Sequence, residues 1–217
     1  MSDVKVLFCD LGNVVVRLKD RDFHARLLEA CPGLRAGALR DYLEDPRGPR
    51  FRHEVGGMDA PRFHRALVRD LGLSWGFEEF LGHFNDYFTP NRPMVRTLSL
   101  LRGRVRLWAL SNTNEAHILH LKNRYRLHEL FEGLILSNEL GTRKPEKEIY
   151  RQALKRAGVG AGQAAYVDDV GEFVGAARAL GIESFQYRFN DAEFRRWLEG
   201  LGLKPGQIRG AKAYTGC

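Results

Sequence analysis

The residues best suited to chemistry come in four short clusters, each just behind an apolar run. Val-Lys-Val-Leu-Phe-Cys leads into Asp10 and a turn at Gly12-Asn13. Val-Arg-Leu-Trp-Ala-Leu leads into Ser111-Asn112, Gly-Leu-Ile-Leu-Ser precedes Lys144-Pro145, and Ala-Ala-Tyr-Val leads into Asp168-Asp169. A buried strand that delivers a carboxylate at its C-terminal end is where open α/β sheets place their chemistry. A carboxylate there can attack phosphorus and form an acyl phosphate that water then hydrolyses. Read alone, Asp10 is also a turn or helix-cap aspartate. Two adjacent carboxylates such as Asp168 and Asp169 are costly behind an apolar strand unless paired or metal-bound. With Asp10 and a backbone carbonyl they suit Mg²⁺, which takes oxygen ligands and keeps several waters.

The elements that must position these clusters follow from hydrophobic period. A first strand is expected over about 4–10. After it, period-3.6 signals run with no convincing strand until about 105. Phe23, Leu27 and Leu28 mark one helix and Leu39 and Leu43 a second. A third starts at Pro61 with Phe63, Leu67, Val68 and Leu71, and a stripe of Phe77, Phe80, Leu81, Phe84 and Phe88 marks a fourth. Such a stripe reads as core. From 105 the pattern alternates, with strands expected at 105–110, 133–137, 164–168 and 183–187. Helices are expected at 114–127, 145–157, 171–180 and 191–201. Pro145 fits a first helical position and Gly158 a helix stop; Asn190 fits an N-cap, and so does the Ser111–Asn114 stretch. Alternating βα units predict an α/β fold, a Rossmann-like, doubly wound and mostly parallel sheet. Residues 1–15 and 96–217 would form the core domain, and 16–95 a small helical insert above the C-terminal edge of the sheet. The tail from about 203 has weak signals.

In order and spacing the four clusters resemble those of the haloacid dehalogenase-like (HAD) hydrolase superfamily. The resemblance covers residues 4–16 and 105–187 and implies a Mg²⁺-dependent phosphatase with a helical cap. It makes Asp10 the nucleophile, and Ser111 with Asn112 the holder of the phosphoryl oxygens. Lys144 becomes the ammonium that neutralises nucleophile and phosphate, although a lysine is more commonly at the surface. Asp169 is implied as a direct metal ligand beside Asp10, with Asp168 in support and the Gly12 carbonyl as backbone ligand.

Two positions depart from the pattern. Most such phosphatases carry a second aspartate where this chain has Gly12, and glycine cannot protonate a leaving group. The Asp-Leu-Gly-Asn-Val form resembles a bacterial subgroup that includes α-glucose-1-phosphatase and the phosphatase-like domain of epoxide hydrolases. An anomeric oxygen departs more readily than an ordinary alkoxide, so a sugar 1-phosphate fits. Phe173 stands where the subgroup usually has an asparagine that orders the metal-side loop. Two alternatives share the scaffold. A 2-haloacid dehalogenase also lacks the second aspartate, but usually has Ser-Ser where this chain has Asp168-Asp169. A catalytically weak or inactive binding protein is the other.

The rest of the chain sets outer bounds. At 217 residues, 44% hydrophobic and 28% charged, it is an ordinary globular composition. The net charge of +7 comes from scattered arginines with no basic run. It fits a small anionic, phosphorylated substrate rather than nucleic acid. No apolar run reaches a membrane span. Three cysteines without CxxC spacing and no signal-peptide pattern fit a reducing cytoplasm. Cys9 should point away from the site into the core. A monomer or a homodimer is equally compatible. His117 and His120 read as surface residues. Arg17, Lys19, Glu54, Gly56 and Gly57 are insert residues that could approach the site.

Overall fold

A computed structural model describes residues 3–86 and 88–204. Cys217 and nearly all of the tail lie outside them. A five-stranded sheet runs in the order β5-β4-β1-β6-β7, with every pairing parallel. Its strands are β1 (Val6–Cys9), β4 (Arg106–Ser111), β5 (Gly133–Leu136), β6 (Ala164–Asp168) and β7 (Glu183–Gln186). Alternate side chains enter opposite faces. Leu7, Cys9, Leu107, Ala109, Ala165 and Val167 pack under α6 (Arg92–Leu101), α7 (Glu115–Tyr125) and α11 (Asp191–Gly200). Val6, Phe8, Leu110, Ala164 and Tyr166 pack under α9 (Lys147–Ala157) and α10 (Gly171–Arg178). Both faces of β1 and β6 are therefore dry, which is why VLFC and AAYV read as unbroken apolar runs. Cys9 is fully buried in the first of these clusters, and burial, with Asp10 beside it, pushes its thiol up. From β1 the chain winds to β4 and β5, then returns to the other side of β1 as β6. The switch point therefore lies between β1 and β6, where open α/β sheets bind their ligands.

Between residues 16 and 90 the expectation of helix alone needs correction. β2 (Val16–Leu18) and β3 (Phe88–Pro90) pair antiparallel, with Leu18 opposite Phe88. Three residues are too few to show a period of two, and Phe88 leaves the helical stripe for this ribbon. Asn91 ties the ribbon to the core, its side chain donating to the Val14 carbonyl at 2.8 Å. The ribbon brackets α1 (Asp20–Ala30), α2 (Ala36–Glu44), α3 (Pro49–Glu54), α4 (Ala60–Leu71) and α5 (Phe77–Asn85). Their apolar faces, among them Phe23, Leu27, Leu39, Phe63, Leu67, Phe80 and Phe84, form a third cluster.

Two further expectations are corrected. Pro145 does not open a helix. Residues 143–146 form a turn closed by the Glu146 N–H on the Arg143 carbonyl at 2.8 Å, and α9 begins at Lys147. His117 is buried, not on the surface. Its Nε2 donates to the Phe84 carbonyl at 3.1 Å and its Nδ1 accepts from the Asn114 amide at 3.1 Å. Asn114 is the actual cap of α7, accepting from the His117 N–H at 3.0 Å. The remaining short helix, α8 (Ser137–Leu140), follows β5 directly.

Candidate active site

Strand register brings the acidic residues together. Cys9 is level with Val167 on one side and Ala109 on the other, so the next residue, Asp10, stands beside Asp168 and Leu110. The Asp10 N–H continues the ladder to the Val167 carbonyl at 2.9 Å. Carboxylate oxygens of Asp10, Asp168 and Asp169 lie within 4.8 Å of one another.

Lys144 reaches this cluster from the 143–146 turn. Its Nζ lies 2.7 Å from Asp10 Oδ1 and 2.6 Å from Asp168 Oδ2, and donates to the Leu110 carbonyl at 3.2 Å. All three ammonium protons thus meet oxygens at the ends of three neighbouring strands. Burial works against the charge of this side chain, but the two carboxylates outweigh it and hold the ammonium above its ordinary range. The Phe173 ring lies over Nζ with its centroid at 5.2 Å.

The adjacent aspartates are not equivalent. Asp168 is fully buried; its Oδ2 also accepts from the Tyr166 hydroxyl, and its Oδ1 accepts from the Val170 N–H at 2.9 Å. Asp169 is half-buried and faces the cavity. Burial raises its carboxyl pKa and Asp168 adds to that, against a hydrogen bond from Asn13. Asp10 is pushed up to about 7, by burial first; Lys144 pulls it down, while Asp168 and Asp169 push it further up.

The second cluster packs against the lysine turn. The Asn112 side chain clamps the Lys144 backbone, donating to its carbonyl at 3.0 Å and accepting from its N–H at 2.8 Å. Ser111 is buried at the tip of β4, with its hydroxyl 3.4 Å from the Asn112 carbonyl. Asn112 thus sets the position of the lysine turn, a role that needs the tertiary fold to be seen. Tyr166 was also open to inference: it lies two residues before Asp168 on one strand, and i and i+2 share a face.

Asp10, Gly12, Asn13, Asn112, Lys144 and Asp169 line one end of a cavity of about 400 Å³. The opposite wall comes from the helices between the ribbon strands. Of the insert residues singled out in the sequence, Glu54 reaches this wall, ion-paired to Arg50 at 3.0 Å and to Arg143 at 2.8 Å. Gly56 presses the insert onto α8. It has a φ of +74°, and a Cβ there would stand 2.1 Å from the Asn138 carbonyl oxygen. Arg17 lies over the Phe189 ring instead, and Lys19 is exposed.

Residues 4–181 match the model of the haloacid dehalogenase-like hydrolase family. A sesquiterpene phosphatase of Aspergillus oryzae is 35% identical over 133 residues, 59% of this chain and 67% of that protein. A HAD family enzyme of Bacteroides thetaiotaomicron, in complex with magnesium and inorganic phosphate, superposes with a TM-score of 0.77 at 22% identity, over 85% of this chain and 94% of that one. The L-2-haloacid dehalogenase of Xanthobacter autotrophicus superposes with 0.63 at 19% identity, over 93% and 85%. The sheet order, the acidic residues at its switch point and the family match lead to one conclusion: the chain belongs to the haloacid dehalogenase-like hydrolases.

Proposed function

We propose that this chain is a Mg²⁺-dependent phosphatase that acts on a phosphate monoester through an aspartyl phosphate on Asp10. The observation that carries the reading is the Asp10 carboxylate, 2.7 Å from Lys144 Nζ and beside Asp169, at the switch point of the sheet. The donor set fits the metal. Asp10, Asp169 and the Gly12 carbonyl offer hard oxygens, while Asp168 has both oxygens engaged by the protein. Bound there, Mg²⁺ would neutralise phosphate charge and polarise a phosphoryl oxygen.

The chain's own residues do the rest. Lys144 favours the ionised form of Asp10. One Asp10 oxygen attacks phosphorus, the ester P–O bond breaks, and the alcohol oxygen leaves with the electron pair. Water then attacks the acyl phosphate, releasing inorganic phosphate and restoring the carboxylate. Ser111 and Asn112 stand next to the lysine turn, where their backbone can meet phosphoryl oxygens. Gly12 brings no proton to the leaving group. Residues 16–95 act as a cap that excludes water, over a core of 1–15 and 96–217. Asp169 beside Asp10 favours phosphorus over the carbon attack of a dehalogenase. A sugar 1-phosphate follows from leaving-group chemistry alone, and the 35% identical relative is named for a sesquiterpene substrate.

Hydrolysis of p-nitrophenyl phosphate by wild type and Asp10→Asn, with and without Mg²⁺, tests the reading. Activity confined to the wild type with Mg²⁺ supports it. Equal activity in the two proteins removes Asp10 from its role.

A further inference from the structure

We propose that the cavity above Asp10 is built for a phosphate ester of a bulky apolar alcohol, isoprenoid, long alkyl or aryl. The class of ester deepens the phosphatase reading and rests on it for the reaction, though not for binding.

Two charged groups line the cavity: Asp10, Asp169 and Lys144 at the sheet, and the ion-paired Arg50, Glu54 and Arg143. The apolar part of the wall contributed by the helices is Phe23 and Leu27 of α1, Leu43 of α2, Phe63 and Leu67 of α4, and Phe84 of α5, beside the polar His24 of α1 and Arg50, His53 and Glu54 of α3. At about 400 Å³ the space exceeds the needs of a phosphate group and falls in the range of small-molecule sites, roughly 300–1,000 Å³.

Three polar side chains of that wall are engaged by the protein itself. His117 bonds the Phe84 carbonyl and Asn114, Asn114 caps α7, and Glu54 is ion-paired with Arg50 and Arg143. Among the described residues, the buried side-chain nitrogen of the wall left without a partner is Nε2 of His53. Its Nδ1 lies 2.8 Å from the Met58 carbonyl and 3.5 Å from a Glu115 carboxylate oxygen. A hexose brings several hydroxyls, and a nucleobase a polar edge, each costly to bury without partners. An apolar alcohol asks for none and gains from covering the phenylalanine and leucine faces.

Calorimetric titration of n-alkylphosphonates into the full chain with Mg²⁺ separates chain length from leaving-group chemistry, because the head group is constant and nothing is cleaved. Affinity should rise at least about 100-fold from methyl- to octylphosphonate. Glucose and nucleoside phosphates should bind no more tightly than methylphosphonate. Leu43→Trp, which fills the wall, should remove the gain with length. A flat series in the wild type, or tighter binding of glucose phosphate, overturns the proposal. Turnover of p-nitrophenyl phosphate is measured alongside. Tightening without turnover keeps the ester class and removes the phosphatase reading; turnover with a flat series does the reverse.

Discussion

Lys144 Nζ lies 2.6 Å from Asp168 Oδ2, in a pocket where both side chains are almost wholly buried. The Tyr166 hydroxyl and the Val170 N–H complete that carboxylate. Asp168 therefore holds the lysine, and Asp169, its neighbour, is left to face the cavity.

This division predicts unequal effects of two similar substitutions. Asp168→Asn removes one anion from a buried cation and should cost on the order of 3 kcal/mol of stability. Asp169→Asn relieves repulsion at a half-buried site and should cost less than about 1 kcal/mol. Urea unfolding of the metal-free proteins measures both. Equal losses would mean that the two carboxylates share one role.

Metal affinity should show the reverse order. Asp169→Ala should weaken Mg²⁺ binding by about 100-fold or more, whereas loss of a supporting residue typically costs about 10–100-fold, the range expected for Asp168→Asn. Calorimetry on the two variants decides, and undiminished binding by Asp169→Ala would take that residue out of the ligand set.

Acidity should control how far Mg²⁺ stabilises the fold. The Asp10 and Asp169 carboxyls are raised by burial, so the metal-free fold holds protons that the unfolded chain has lost. Stability from that proton uptake is present at low pH and is lost as pH rises from about 4, the unfolded value, to about 7. Mg²⁺ competes with those protons. The rise in Tm on adding Mg²⁺ should therefore be small at the acid end of that window and large above it. A rise that is independent of pH would place the metal elsewhere.

Gly12 should make rate depend steeply on the leaving group. Its φ is not left-handed, and a Cβ there would meet only the end of Leu18, 3.3 Å away, and Asp10 Oδ2 at 3.9 Å. Gly12→Asp is thus sterically permitted and puts a carboxyl near the nucleophile. General acid catalysis is worth about 10²–10⁴-fold, so the variant should accelerate alkyl phosphates far more than aryl phosphates. Plots of log rate against leaving-group pKa for both proteins read this directly. A shallow wild-type slope would mean that another residue supplies the proton.

Gly56→Ala should loosen the insert from the core. The added methyl meets the Asn138 backbone, and the left-handed φ disfavours any side chain. The cost should be about 2 kcal/mol or more, with faster proteolysis between β2 and β3. Unchanged stability and cleavage would show that this contact does not hold the insert.

Much of this is legible in the sequence wherever one residue type reports one environment. The core strands are buried on both faces, so their apolar runs and the carboxylates at their tips stand out. The β2–β3 ribbon does not, because three residues carry no period. Pro145 reads as a helix start because its fixed φ suits one, whereas the turn presenting Lys144 depends on the Arg143 carbonyl and the Asn112 clamp. Phe173 reads as a lost loop anchor. In the structure its ring covers Lys144, and Gln186 holds the Asp169 carbonyl at 3.0 Å. His117 reads as surface because the aromatic side chains that bury it come from α5 and β3, far away in sequence.

Intact-protein mass spectrometry after acid quenching, during turnover of p-nitrophenyl phosphate with Mg²⁺, bears most directly on Asp10 as nucleophile. Attack by Asp10 predicts one added phosphoryl group, located on the peptide that contains Asp10 and absent from Asp10→Asn. A phosphoryl group on a different residue, or wild-type turnover by Asp10→Asn, would contradict it.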